Sequence, residues 1–183
     1  MTMVHLFDVV VMEVPNTVLK HKQATRNTLA RNRMLARLKD AGERGALLAT
    51  HDNAKLMWLR RHAGTDDIAE PEPHLFCLQH DWDALTPAER ALRTIKGLGE
   101  FHPDWAFWGY DAALVWGLEV PNDLSGPRFL VKTGCTAALS GGCRLLRPQM
   151  AGALECVDGV RVTPFWRTVE DCLLRAPFSY GLA

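Results

Sequence analysis

Apolar residues recur along the chain at helical spacing in several stretches, separated by short extended runs and by glycine or proline breaks. Over 25–41, Met34, Leu35, Leu38 and Ala41 fall on one side, while Arg26, Arg33 and Arg37 gather on an adjacent one; the spacing predicts a helix that ends at Gly42 and Gly45. Leu47 and Leu48 form a short extended piece. Asp52 is placed to cap a second helix, 53–63, whose Leu56, Leu59 and Ala63 point inward and which Gly64 stops. Its outward positions carry Lys55, Trp58, Arg61 and His62, with Arg60 near the boundary. In the run IAEPEPHLFCL, 68–78, two prolines in three residues predict a turn between two extended arms.

The stretch 85–118 organises the second half of the chain. Thr86, Pro87 and Glu89 make a capping box with proline at the first helical position. Ala88, Ala91, Leu92, Ile95 and Leu98 then share one arc, opposite Glu89, Arg93 and Lys96. A break is expected over 97–103, then an aromatic run at Trp105 to Phe107, then an interior helix over 112–118 capped by Asp111. Beyond a loop at 121–126, strands are predicted over 128–133 and, after Gly141 and Gly142, over 143–147. Residues 155–162 read as a hairpin, with Asp158-Gly159 supplying the positive φ of a tight turn. Thr163-Pro164 then starts a helix whose apolar face is Phe165, Val169, Cys172, Leu173 and Ala176, with Arg167 and Asp171 paired across one turn on its other side. The fold class expected is α+β: an N-terminal leader or strand at 1–24, a winged helix-turn-helix-like domain at 25–80, and a small α+β domain at 81–183.

Composition narrows the function classes. The chain has 183 residues and is 48% hydrophobic, ample for a packed core, yet no run reaches the roughly 18 apolar residues that span a bilayer. The opening MTMVHLFDVVVMEVP carries Asp8 and Glu13, lacks a basic leading region and has no small-residue cleavage site, which argues against a signal peptide and for a cytoplasmic protein. Five widely spaced cysteines without a C-x-x-C pair read as free thiols of a reducing compartment, although Cys135 and Cys143 could meet across a hairpin. The net charge of zero hides an asymmetry. Residues 1–65 hold 11 Lys and Arg against 5 Asp and Glu, net +6, whereas residues 66–183 hold 10 against 16, net −6. A basic N-terminal third is the electrostatic footprint of a nucleic-acid-binding protein, or of a solvated helical face.

Helix, connector, short basic helix and two-armed ribbon is the order of a winged helix-turn-helix. The recognition element would be 53–63, lying in the major groove, and the wing 68–78, with the second of the usual three helices reduced to LLATHD. Lys55, Arg60 and Arg61 are the first candidates to contact phosphates or base edges of double-stranded DNA; Arg33 and Arg37 are the second. Enzymatic chemistry finds no support. Pro103-Asp104 followed by Leu130-Val131-Lys132 mimics the spacing of a Mg²⁺ nuclease, but Leu130 occupies the position of the second carboxylate. His51, His62, His74, His80 and His102 lack zinc-ligand spacing, and Ser125, Ser140 and Ser179 lack a nucleophile elbow. No catalytic residue, metal site or cofactor is predicted.

Two segments carry a family resemblance. HLFCLQHDWDALTPAERALRTIKGLGEFHPDWAFWGYDAALVWGL, followed by GVRVTPFWRTVEDC, resembles the AbiEi-like antitoxin and transcriptional-regulator family of actinobacterial type. That family's Ser-Ala-Ala…Gly-Leu helix is matched at Ala112, Ala113, Gly117 and Leu118, with Asp111 in place of serine. Its Val-Thr-x-x-x-Arg-Thr-x-x-Asp helix start is matched at Val162, Thr163, Arg167, Thr168 and Asp171, with Trp166 where a Glu is usual. The resemblance implies a winged-helix autorepressor that binds its own operator, with the capacity to neutralise a nucleotidyltransferase toxin without a stable complex. A homodimer would favour inverted-repeat operators. Many relatives continue into a Vsr-like endonuclease domain, which this chain is expected to lack. Glu70 and Glu72 depart from the pattern by putting negative charge at the wing tip, where a basic residue would grip phosphate. Two alternatives stand beside this reading: a protein-interaction module whose acidic second domain binds a toxin or another basic partner, and the non-catalytic front of a nuclease fusion.

Overall fold

The structure, a computed structural model, describes residues 16–65, 67–120, 129–132, 144–145 and 153–175. Two compact units divide within the first helix, Met1–Ala36 and Arg37–Ala183. The leader read over 1–24 lies outside the described residues up to residue 15. From residue 16 the chain is already helical, because α1 runs Asn16–Glu43 without a break, nine residues ahead of the predicted start. Met34 is buried in the first unit, and Leu38 and Ala41 are buried in the second.

After α1 the chain passes through β1 (Leu48–Ala49), α2 (Asn53–His62), β2 (Ile68–Glu72) and β3 (Leu75–Leu78). These strands form a three-stranded sheet in the order β1-β3-β2, with both pairings antiparallel. The turn between β2 and β3 falls at Pro73 and His74, the latter at φ +68°, whereas Pro71 lies inside β2, where the pairing shifts register between Ala69 and Glu72. β2 is an edge strand and Pro71 falls at the register shift, both settings in which a sheet tolerates proline.

A short α3 (Gln79–Asp83) leads to α4 (Pro87–Phe101), the element on which both sheets rest. The predicted capping box forms in full: Glu89 N–H donates to Thr86 Oγ1 at 3.3 Å and Thr86 N–H donates to Glu89 Oε2 at 2.8 Å. The break predicted at 97–103 comes only at its end, over residues 102–104, after α4 closes at Phe101. The helix continues through Gly97 and Gly99 because both glycines lie against packed neighbours. A Cβ built on Gly97 would stand 3.0 Å from Leu47 Cβ and 3.2 Å from the Leu47 carbonyl oxygen. Close approach of two backbones, and not helix termination, is what glycine provides here. Along this side Leu98 and Phe101 cover Leu47, just before β1, and Leu75 and Cys77 of β3. Leu92, Ile95 and Leu98 pack into a second core with Trp105, Phe107, Val160 and Val162.

The second sheet is mixed, in the order β6-β5-β4-β8-β7, from β4 (Trp105–Phe107), β5 (Phe129–Lys132), β6 (Arg144–Leu145), β7 (Glu155–Val157) and β8 (Val160–Val162). The β7–β8 hairpin turns at Asp158 and Gly159, at φ +49° and +79°, as the Asp-Gly pair predicts. α5 runs Gly109–Val115 and not 112–118: Gly109, at φ +58°, turns the chain directly from β4 into the helix, which puts Asp111 in the first turn instead of at the cap. α6 (Phe165–Arg175) follows β8, and Leu173, predicted on its apolar face, is exposed; the buried positions are Thr168 and Asp171. The loop predicted at 121–126, and Cys135 and Cys143, lie outside the described residues. The architecture is α+β, six helices and two small sheets among the described residues. No helix among them is long and apolar enough to cross a membrane.

The glycines of α4 should respond oppositely to alanine. Gly97→Ala forces a methyl against the backbone of Leu47, just before β1, and should destabilise by about 1–2 kcal/mol. A Cβ on Gly99 would stand 3.5 Å from Val160 Cγ2, an ordinary contact, so Gly99→Ala should gain about 0.5–1 kcal/mol from helix propensity. Urea denaturation of the two variants checks the pair of signs.

Candidate nucleic-acid interface

α2 begins because Asp52 accepts hydrogen bonds from the backbone N–H groups of Ala54, at 2.9 Å, and Lys55, at 3.3 Å. Leu56 and Leu59 seat it, both buried. At about 100° per residue, Arg61 points directly away from that stripe, whereas Arg60 and Lys55 flank it on opposite sides. The flanking positions explain what the two side chains do. Lys55 Nζ turns back to Asp52 Oδ2 at 2.8 Å, and that contact, with the cap hydrogen bonds, holds the Asp52 carboxyl below its ordinary range. Trp58 is half-buried and stacks on His62 at 4.0 Å between ring centroids, while His62 Nδ1 lies 2.8 Å from the Trp58 carbonyl oxygen.

Arg60 leans the other way, onto the hairpin. Its Nε donates to Glu70 Oε1 and Oε2 at 3.1 and 2.9 Å, and its Nη2 donates to Oε1 at 2.6 Å. Glu70 Oε1 also accepts from the His74 backbone N–H at 3.0 Å, so the carboxylate is fixed from the hairpin turn as well as from α2. The Arg60 hydrogen bonds, against an opposing desolvation and aided by the His74 N–H, hold the Glu70 carboxyl below the usual carboxylate range. At the base of the same sheet His51 stacks on Phe101 of α4 at 4.0 Å, with His51 Nε2 2.9 Å from the Phe101 carbonyl oxygen.

Of the five cations singled out in the sequence, Arg60 is joined to the hairpin and Lys55 to its own helix cap. Arg61 is exposed, with no hydrogen-bond or ion-pair partner among the described residues. Arg33, in the Met1–Ala36 unit, and Arg37, in the Arg37–Ala183 unit, are likewise exposed and unpaired among the described residues. Sequence reasoning missed the role of Glu70, which it took for a free charge at the wing tip. The available signal was the hairpin itself, which returns the chain along α2 and sets Glu70 beside the last turn of that helix.

Among the described residues no group of three or more His, Cys, Asp and Glu side chains is placed to hold a metal ion. Asp104 precedes β4, and the register sets Trp105 opposite Lys132, but Leu130 faces Phe107 where a nuclease would hold its second carboxylate. Burial pushes the Cys77 thiol up to about 12 and the Cys172 thiol up to about 11, so neither is a nucleophile at neutral pH. A crevice of about 300 Å³ between α4 and the β7–β8 turn is lined by Arg44, Lys96, Glu100 and Asp158, which pair with one another, Arg44 with Glu100 at 2.7 Å and Lys96 with Asp158 at 3.1 Å. No family model, curated protein or solved structure matches the chain.

Because the folded pKa of Glu70 is depressed, the ion pair's contribution to stability is complete above the unfolded value, about 4.3, and is lost as pH falls through the lower folded value. Urea midpoints of the wild type and of Glu70→Gln should differ by a constant amount above about pH 5 and converge below about pH 4. A gap that stays constant through that acid range would show that the pair does not couple to folding.

Proposed function

We propose that this chain is a DNA-binding transcriptional regulator of the winged-helix kind, with α2 as the recognition helix, the β2–β3 hairpin as the wing, and no catalytic activity. The observation that carries the reading is the sheet order β1-β3-β2 around a basic helix: β1 precedes α2, α2 precedes the hairpin, and β1 closes on the inner strand of that hairpin. That succession supports a winged-helix reading, with residues 50–52 in place of the second helix. Arg61 faces outward from the buried stripe of α2 and is free to contact phosphate. The resemblance to AbiEi-like regulators supports an operator in the gene's own promoter, an inverted repeat if the protein is a homodimer, and a role as the antitoxin of a nucleotidyltransferase toxin.

A second reading has its own observation. α6 exposes Trp166, Leu173 and Leu174, at 79, 58 and 77% of their surface, and such side chains favour a protein-docking role for the second half of the chain. In that case the basic face of α2 serves only solubility.

Fluorescence anisotropy with a duplex from the gene's own upstream region, and with a scrambled duplex, separates the two. The DNA-binding reading expects selective binding that persists at moderate salt and weakens at least about tenfold when Lys55, Arg60 and Arg61 all become Ala. Affinity unchanged by that triple substitution overturns it, and weak binding to both duplexes that vanishes with salt favours the docking module.

A further inference from the structure

The contact between Arg60 and Glu70 uses one particular edge of the guanidinium. Nε and Nη2 are engaged by the carboxylate. The outer edge, formed by Nη1 and the second N–H of Nη2, has no partner among the described residues. A guanidinium is planar and carries five N–H donors in fixed directions, so immobilising one edge aims the other. The carboxylate cannot swing away with it, since His74 N–H holds Glu70 Oε1 from the hairpin turn. Glu70 is only 20% exposed and Arg60 41%, so the joint is shielded on the Glu70 side and open on the Arg60 side.

Resting on the DNA-binding reading, we propose that Glu70 is a positioning residue that turns Arg60 into a reader of paired acceptors on one base edge, guanine O6 and N7 being the matching pair, and leaves phosphate attraction to Arg61. Two physical points carry this. First, an arginine whose charge is already balanced by a carboxylate releases few counterions on meeting a phosphate, so it gains little of the salt-dependent affinity that a free cation gains. What it retains is directional hydrogen bonding, which discriminates between bases and does not simply add affinity. Second, the outer edge presents two parallel N–H donors, the geometry of a bidentate contact in the major groove. Arg60 lies in the last turn of α2 beside the hairpin, so the base it reads sits at the wing-side edge of the footprint.

The two arginines should therefore fail differently. The probes are the duplex that the full wild-type chain selects from a random-sequence pool and a scrambled duplex of equal length, each titrated between about 50 and 200 mM salt. Arg61→Ala should weaken binding to both duplexes alike and make the salt slope shallower by about one unit. Arg60→Ala made together with Glu70→Gln, so that no unbalanced carboxylate is left beside α2, should cost about tenfold or more on the selected duplex, with the scrambled duplex and the salt slope little changed. Glu70→Gln unmasks the Arg60 charge: binding to the scrambled duplex should tighten and its salt slope steepen by about one unit, while selectivity falls. Arg60→Lys keeps the cation but not the fork, and should lose selectivity as Arg60→Ala does. A purely structural role for Glu70 would instead weaken both duplexes in Glu70→Gln without steepening the slope, and that result overturns the proposal. So does a salt slope that falls in the Arg60→Ala, Glu70→Gln double variant, which would make Arg60 a phosphate contact. If the wild type enriches no duplex from the pool, the DNA-binding reading fails as a whole; if it enriches one and Glu70→Gln keeps full selectivity, this inference alone fails.

Discussion

The close approach of α4 at Gly97 to Leu47, the residue that leads into β1, is the constraint on which the Arg37–Ala183 unit depends. With backbone set against backbone there, α4 covers Leu47 and, in the first sheet, Leu75 with Leu98 and Phe101 while it presents Leu92 and Ile95 to the second. One helix serves two small sheets, neither of which has enough strands to bury both of its faces alone. The capping box at Thr86 fixes where that helix begins and thereby which residues meet each sheet. The position of the β2–β3 hairpin, and with it Glu70, is set by the same seat, since Leu75 at the start of β3 lies within 3.4 Å of the Cβ that Gly97 lacks.

Charge on α2 is organised by pairing and not by count. Of its cations, Lys55 is tied to the helix cap and Arg60 to the hairpin, and Arg61 remains open. A basic helix in the sequence is thus, in three dimensions, one exposed cation beside two balanced ones. The difference decides what kind of contact each can make with an anionic surface, long-range and salt-sensitive for the open one, short-range and directional for the others.

Local signals were legible wherever the physics is local. Asp52 caps α2, Thr86 and Glu89 close their box, Asp158-Gly159 turns its hairpin, and Arg167 meets Asp171 at 3.0 Å, all from residues within four positions of each other. Signals that depend on a distant partner were misread. Gly97 looked like a helix stop because glycine is a poor helix former, yet the facing Leu47 is what demands it. Asp111 looked like a cap because Gly109 can enter a helix from a positive φ that no propensity scale anticipates. Leu173 matched an apolar stripe at helical spacing, but α6 buries Thr168 and Asp171 instead. Thr168 Oγ1 hydrogen-bonds to the hydroxyl of Thr163 at 2.8 Å, a preference that apolar periodicity cannot register. The candidate site shows the same division: the basic residues of α2 were visible one by one, and the carboxylate that sorts them was not, because it arrives ten residues later on another strand.

The prolines of the hairpin carry a consequence beyond the turn. β2 forms one edge of its sheet, and an unguarded edge strand is a template on which a second chain can add itself, strand upon strand. Pro71 removes a donor from that edge, and the register shift between Ala69 and Glu72 bends what is left out of line. The hairpin can therefore stand next to another macromolecule, or next to many copies of itself in a crowded cell, without seeding a continuous β-ribbon. A residue with an N–H in place of Pro71 would weaken that guard, and the first symptom would be loss of colloidal solubility at an unchanged fold.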